Sequence, residues 1–201
     1  MSSSAITGAD GISRCAWAVG SDDYIEYHDT EWGVAVRNDR ALYERLSLEA
    51  FQSGLSWLTV LRKREAFREV FADFDPVSVA DFEEPEITQL LSDSRIIRHR
   101  KKIESTIANA QALLAAWDAH GHDWLTQTLL EFSPSERELA AQGWIRPPAL
   151  LNQIPAKTDN SEALTKHLKQ AGFVFLGPTT LYAAMQATGF VNDHVLGCDR
   201  R

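Results

Sequence analysis

Apolar residues recur at helical spacing along almost the whole chain. Ile103, Ile107, Ala110, Leu114 and Trp117 fall at i, i+4, i+7, i+11 and i+14, a continuous stripe that stops near Gly121 and predicts one long helix. Leu42 and Leu46 mark a second over residues 40–53. Val60, Leu61, Phe67, Val70 and Phe71 mark another, reached through Ser56 and Trp57 after a break at Gly54. Pro85 at a first-turn position, followed by Ile87, Leu90 and Leu91, predicts a short helix leading into a basic run. Asp159, with Glu162 three residues on, reads as the capping signal of a helix that carries Leu164 and Leu168 and ends at Gly172. A last helix follows Gly177 and Pro178, with Leu181, Tyr182 and Met185 on its apolar side and Gly189 at its stop. No segment alternates apolar and polar residues, and the apolar run at 173–175 is too short to build a sheet, so the fold class is all-α. Pro134, Pro147, Pro148 and Pro155 make residues 133–157 a long connection.

A chain of 201 residues with 44% hydrophobic content buries a full core, as one domain or two modest lobes. Residues 1–13 are small and polar, with neither the apolar run of a signal peptide nor the Arg-rich pattern of a transit peptide, and read as a disordered lead-in. Nothing approaches the roughly 18–20 apolar residues that cross a bilayer, so the expectation is a soluble, cytoplasmic protein with no membrane partner and with reduced thiols. The net charge of −8 argues against non-specific coating of nucleic acid. Positive charge is nevertheless concentrated at residues 95–102, where Arg95, Arg98, Arg100, Lys101 and Lys102 surround His99. Such a run is either a solvated helix face or a focused grip on a few phosphates.

Three groups of residues carry candidate chemistry. The only two cysteines lie near opposite ends, each close to a histidine: Cys15 with His28, and His194 with Cys198. Two such pairs make a Cys2His2 set for structural zinc if they converge; buried hydrophobic cysteines and a disulfide are the other readings, and reduced thiols disfavour the disulfide. Glu49 falls at i+7 from Leu42, which puts a carboxylate on an apolar stripe unless the stripe is rotated towards Leu48, Phe51 and Leu55. Trp17, Tyr24, Tyr27 and Trp32 crowd the N-terminal segment, with Trp57 eight residues beyond Glu49. Rings of this kind fill cores, but together with one carboxylate they also suit a flat cationic ligand, because ring faces and carboxylate are both negative.

The runs YHDTEWG (27–33), LEAFQSGLSW (48–57), IIRHRKKI (96–103), GFVFLGPTT (172–180) and VNDH (191–194) closely resemble the 3-methyladenine DNA glycosylase I family, in that family's order and over about Cys15 to Cys198. The resemblance implies a helix-hairpin-helix enzyme that removes 3-methyladenine from alkylated double-stranded DNA without strand cleavage, acting as a monomer with no organic cofactor. It implies one structural zinc ion per chain on Cys15, His28, His194 and Cys198. It implies a zinc-binding lobe from residues 14–38 and 155–201 around a helical domain of 39–154. Glu49 is implied as the catalytic residue. Tyr27 and Trp57, with Trp17, Trp32 and Tyr24 as neighbours, are implied as the base pocket, and Arg95, Arg98, His99, Arg100, Lys101 and Lys102 as contacts to the DNA backbone.

Overall fold

Asn38 accepts a hydrogen bond from Ala41 N at 3.0 Å and so starts the helix on which the other elements are arranged. A computed structural model describes residues 5–135 and 150–200. In chain order its helices are α1 (Asp22–Thr30), α2 (Asp39–Gln52), α3 (Trp57–Leu61), α4 (Arg64–Val70), α5 (Pro76–Ala80), α6 (Glu84–Ser92), α7 (Arg100–His120), α8 (Trp124–Glu131), α9 (Asp159–Gln170) and α10 (Pro178–Ala187). Among the described residues the only sheet is one antiparallel pair, β1 (Ala5–Thr7) with β2 (Ser13–Cys15), in which Ala5 faces Cys15 and Thr7 faces Ser13. The expected all-α class therefore holds with a small hairpin added. Residues 5–13, read from sequence as lead-in, form β1, its turn and the start of β2, and Asp199 secures them by accepting from Ser13 N at 2.7 Å and donating its own N–H to Ser13 O at 2.8 Å. The first four residues, and much of the connection expected over 133–157, lie outside the described residues.

α2 runs through the middle of the core, packed against α3, α7, α8 and α10. Its second half is buried on every side, from Leu46 through Ser47, Leu48, Glu49 and Ala50 to Phe51. That resolves the rotation left open by the stripe: Glu49 and Leu48 are both inside, while Leu55, beyond the helix end, is 43% exposed. Both ends of α2 are fixed by buried charges. At its start Asp39 accepts from Trp117 Nε1 (2.8 Å), Leu125 N (2.9 Å), Thr126 N (2.8 Å) and Thr126 Oγ1 (2.6 Å), which joins α2 to α7 and to the first turn of α8. At its end Lys102 Nζ donates to Phe51 O (2.8 Å) and Ser53 O (2.6 Å), satisfying carbonyls that the helix leaves without partners.

α7 carries the predicted stripe, but its buried face is wider than the stripe and takes in Ser105, Thr106, Asn109, Ala112, Leu113 and Ala116. The cap of α9 is Thr158 and not Asp159: Thr158 Oγ1 accepts from Ser161 N at 3.2 Å and Thr158 N donates to Ser161 Oγ at 2.9 Å. A hydroxyl pair one residue upstream thus replaces the carboxylate pair expected from the sequence. Leu164 and Leu168 of α9, and Leu181 and Met185 of α10, share one core with Leu42, Leu46 and Phe51. The smaller cluster at the chain ends is Cys15, Val195 and Cys198, with Ala5, Trp17, Trp32 and Leu151 packed on it. The boundary expected at residue 155 does not follow this packing, because α9 and α10 belong to the main core. No helix among the described residues is long and apolar enough to cross a membrane.

Asp39 accepts from four donors of α7 and α8. Asp39→Ala is expected to lower the unfolding free energy by about 2–4 kcal/mol, the loss typical of orphaning buried partners of a charge. Urea unfolding of both proteins measures it.

Candidate functional site

The two chain ends meet at Cys15, His28, His194 and Cys198, all buried, with their ligand atoms within 4.8 Å of one another. Cys198 Sγ lies 3.5 Å from His28 Nε2 and 3.4 Å from His194 Nδ1, and Cys15 Sγ lies 3.7 Å from His194 Nδ1. Around a four-coordinate ion with metal–sulfur bonds of about 2.3 Å and metal–nitrogen bonds of about 2.0 Å, donors stand about 3.3–3.8 Å apart, which these three separations match, and the chemistry of the donor set suits a tetrahedral metal. Both thiols are free, which removes the disulfide reading.

The surrounding residues set the ligand forms such a metal needs. His28 Nδ1 is 2.9 Å from Asp29 Oδ1, so its proton faces the carboxylate and the Nε2 lone pair faces the cluster. Asp29 is in turn gripped by Arg14 at 2.7 and 3.0 Å, and that guanidinium holds its carboxyl well below the ordinary range. Burial lowers the pKa of His28 and pushes that of His194 down to about 4, which favours the neutral form of each ring. Burial also pushes the Cys15 thiol up to about 12, and a thiolate there needs a cation beside it.

Beside the cluster lies a cleft of about 240 Å³ lined by Trp17, Tyr24, Tyr27, Trp32, Glu49, Gln52, Trp57, Ile154, Ala183 and Gln186. All six pocket residues named from the sequence therefore line one cavity. They arrive from α1, from the loops that flank it, from α2 and from the first residue of α3. Trp17 joins cluster and cleft: its ring is 5.3 Å from His28, 5.0 Å from Trp32 and 5.8 Å from Tyr24, mostly edge-on. Trp32 lies 4.6 Å from His194, and Tyr27 lies 5.4 Å from Trp57.

Glu49 is 5% exposed, and among the described residues its carboxylate has a single ionic partner, Arg45 Nη1 at 3.9 Å. Burial pushes its pKa up to about 7, opposed by the Arg45 charge. Arg45 was not singled out from the sequence, although its place one turn before Glu49 on α2 is the available signal. Its guanidinium donates to Tyr27 Oη at 2.9 Å and lies 4.8 Å over the Trp57 ring. Because the Tyr27 oxygen accepts there, its own proton is left to donate elsewhere. Tyr24 is similar: Oη accepts from Leu58 N at 3.2 Å, which ties α1 to α3.

The basic run divides. Lys102 leaves the set of surface cations expected from the sequence, because its ammonium is buried against Phe51 O and Ser53 O. Arg95 pairs with half-buried Asp93 (2.8 Å) and exposed Glu69 (2.5 Å), and Arg100 with exposed Glu84 (2.8 Å) and Glu104 (3.4 Å). Arg98 and Lys101 are exposed and have no ionic partner among the described residues, and exposed His99 caps the start of α7. α6 and α7 pack on one another across the turn at 93–99, with Arg98 and His99 at the end of that turn and Lys101 in the first turn of α7.

Comparison with known proteins agrees with this geometry. The family model described as Methyladenine glycosylase matches residues 17–201. The chain is 42% identical over 189 residues to DNA-3-methyladenine glycosylase 1 of Escherichia coli (strain K12), covering 93% of this chain and 96% of that protein. A crystal structure of a 3-methyladenine DNA glycosylase I superposes with a TM-score of 0.82 at 42% identity, over 92% of this chain and 98% of the other. A tyrosine-to-phenylalanine variant of a 3-methyladenine DNA glycosylase I in complex with 3-methyladenine superposes with a TM-score of 0.81 at 32% identity, over 93% and 96%.

A raised pKa in the folded state means that Glu49 favours folding while protonated and opposes it once ionised. Relative to Glu49→Gln, the wild-type chain is expected to lose stability as pH rises from its ordinary value of 4.5 to about 7 and to stay level above that. The total is about 3 kcal/mol. Urea midpoints of both proteins across this range give the curve; parallel profiles would contradict a buried, singly paired carboxylate.

Proposed function

The chain belongs to the methyladenine glycosylase family, and from that premise we propose that it is a base-excision repair enzyme that hydrolyses the glycosidic bond of 3-methyladenine in alkylated DNA. The observation that carries the reading is the cleft itself: one buried carboxylate, Glu49, among the rings of Trp17, Tyr24, Tyr27, Trp32 and Trp57. Methylation at N3 gives adenine a positive charge. A site of ring faces and a carboxylate out of water favours that cation over neutral adenine, and burial strengthens the preference. The cleft volume of about 240 Å³ suits a single base taken out of the stack.

The chemistry follows from the same charge. When the bond between the sugar C1′ and N9 breaks, its electron pair goes to the base, which leaves neutral, so no general acid is needed. Water supplies the new bond to C1′ and releases a proton. Ionised Glu49 stabilises the cationic base on binding and the positive charge that moves to the sugar as the bond breaks. Trp57 stacks on the base, and the Tyr27 hydroxyl, oriented by Arg45, donates to its edge. Among the described residues no lysine lines the cleft to attack the sugar, which supports base removal without strand cleavage. Arg98, His99 and Lys101, with the first N–H groups of α7, meet DNA phosphates, while Arg95 and Arg100 exchange their carboxylate partners for phosphate.

Zinc is the metal proposed for the Cys15, His28, His194 and Cys198 set, one ion per chain. Two thiolates and two neutral imidazoles are a complete tetrahedral shell, so the ion supplies structural cross-linking of the chain ends and no open position for water.

Two measurements test these statements. Glu49→Gln is expected to lower single-turnover release of 3-methyladenine from methylated DNA on the order of a hundredfold; an unchanged rate in a folded variant refutes the assignment. Elemental analysis is expected to find one zinc per chain, lost or depleted in Cys15→Ser together with a lower melting temperature. Metal-free protein that melts at the same temperature as the untreated protein would overturn the zinc assignment.

A further inference from the structure

Gln186 lines the cleft and is the one polar side chain that α10 brings to it. Its carboxamide is not free to turn. Gln186 Nε2 donates to Asp193 Oδ2 at 2.7 Å, and the same oxygen accepts from Tyr182 Oη at 2.7 Å, one helical turn away on α10. Asp193 is 3% exposed and Tyr182 equally buried, so the anchor is a closed unit behind the cleft wall. With Asp193 Oδ2 accepting from both, the Gln186 amide presents its NH2 group to Asp193. The carbonyl oxygen of Gln186 is then the atom left over, with no partner among the described residues, on a side chain that is only half-buried and borders the cavity.

We infer that Gln186 is a specificity-determining residue, whose carboxamide oxygen, fixed by Asp193 and Tyr182, acts with Glu49 as a pair of acceptors that reads the exocyclic amine of adenine. The inference rests on the reading of the cleft as the methylated-base pocket. Its chemical content is discrimination between the two methylated purines. At C6, 3-methyladenine carries an amine with two protons to donate, and two acceptors take them both. At the same place 3-methylguanine carries a carbonyl oxygen, which meets two acceptors with nothing to donate and leaves buried polar atoms unpaired. A site built to hydrogen-bond one group rejects the analogue that lacks it far more strongly than a hydrophobic wall can. Neither Glu49 nor the rings supply this selection fully, because both methylated bases are flat and cationic.

Methylated DNA containing both lesions, with the released bases separated and timed, tests the inference on the intact chain. Wild type is expected to release 3-methyladenine much faster than 3-methylguanine. Gln186→Met keeps the length of the side chain and removes the acceptor, and is expected to lower the ratio of the two rates on the order of tenfold. Tyr182→Phe leaves Gln186 in place but removes one of the two bonds to Asp193, and is expected to move the ratio in the same direction by less. A purely structural role for either residue changes both rates together and leaves the ratio alone. An unchanged ratio in folded Gln186→Met overturns the inference, and should that variant not fold, an unchanged ratio in Tyr182→Phe does so. Release of neither base by the wild type overturns the pocket reading itself, and the inference with it.

Discussion

Glu49 sits near the end of α2 with one guanidinium 3.9 Å away and almost no contact with water. Ionising a carboxyl in such a place opposes folding, and its pKa of about 7 expresses that cost. The proposed function demands it, since a carboxylate in water has little power to tell a cationic base from a neutral one. The rest of the chain must therefore hold α2 rigidly enough that the helix neither turns Glu49 outward nor lets water in. Asp39 at one end and Lys102 at the other do this with buried charge-assisted bonds to backbone and side chains of α7, α8 and α2 itself. Phe51, fully buried and tilted against Phe67 with ring centroids 4.5 Å apart, anchors the end of the helix in the main core.

The cluster of Cys15, His28, His194 and Cys198, on the proposed reading a metal site, serves the same constraint from the other side of the cleft. His28 and Tyr27 are adjacent on α1, so an ion that fixes the histidine also fixes the phenol. Trp17 and Trp32 touch the cluster histidines on one side and line the cleft on the other. A ring that is both wall and clasp has few alternative positions, which is how a pocket made largely from one short helix and its flanking loops keeps its shape. The network Arg14, Asp29 and His28 extends this order to the β-hairpin, whose position the sequence did not suggest.

Much of this was legible in the sequence, and the failures have separate physical causes. The α7 stripe was readable because that helix has a wet face, so periodicity carried information. On α2 it carried little: the second half is buried all round, so Leu48 and Glu49 are both inside and no rotation of a stripe describes it. The hairpin was invisible because each strand is three residues long and its stability comes from Asp199 and the Cys15 environment, far away in the chain. Lys102 was misplaced because a run of charges reveals where the backbone carries cations but not where a four-carbon stem delivers its ammonium. Arg45 was missed although i, i+4 pairing with Glu49 was there to be read. The family resemblance is what points to the pocket residues; aromatic content alone favours core packing.

Lys102 also bears on how the hairpin and the cleft work together. It belongs by sequence to the basic run proposed to meet phosphate, yet its Nζ closes the C-terminal carbonyls of the helix that carries Glu49. The first turn of α7 and the last turn of α2 are thus joined by two short bonds from one buried ammonium, whose pKa is lowered by that burial. On the proposed reading, the exposed cations Arg98 and Lys101 locate the DNA backbone, and Lys102 transmits that location to the residues between Glu49 and Trp57. A phosphate held at the tip of the hairpin and a base held against Glu49 then keep a fixed separation. An acidic chain with few free cations gains little from non-specific attraction, so its efficiency depends on this geometry and not on charge.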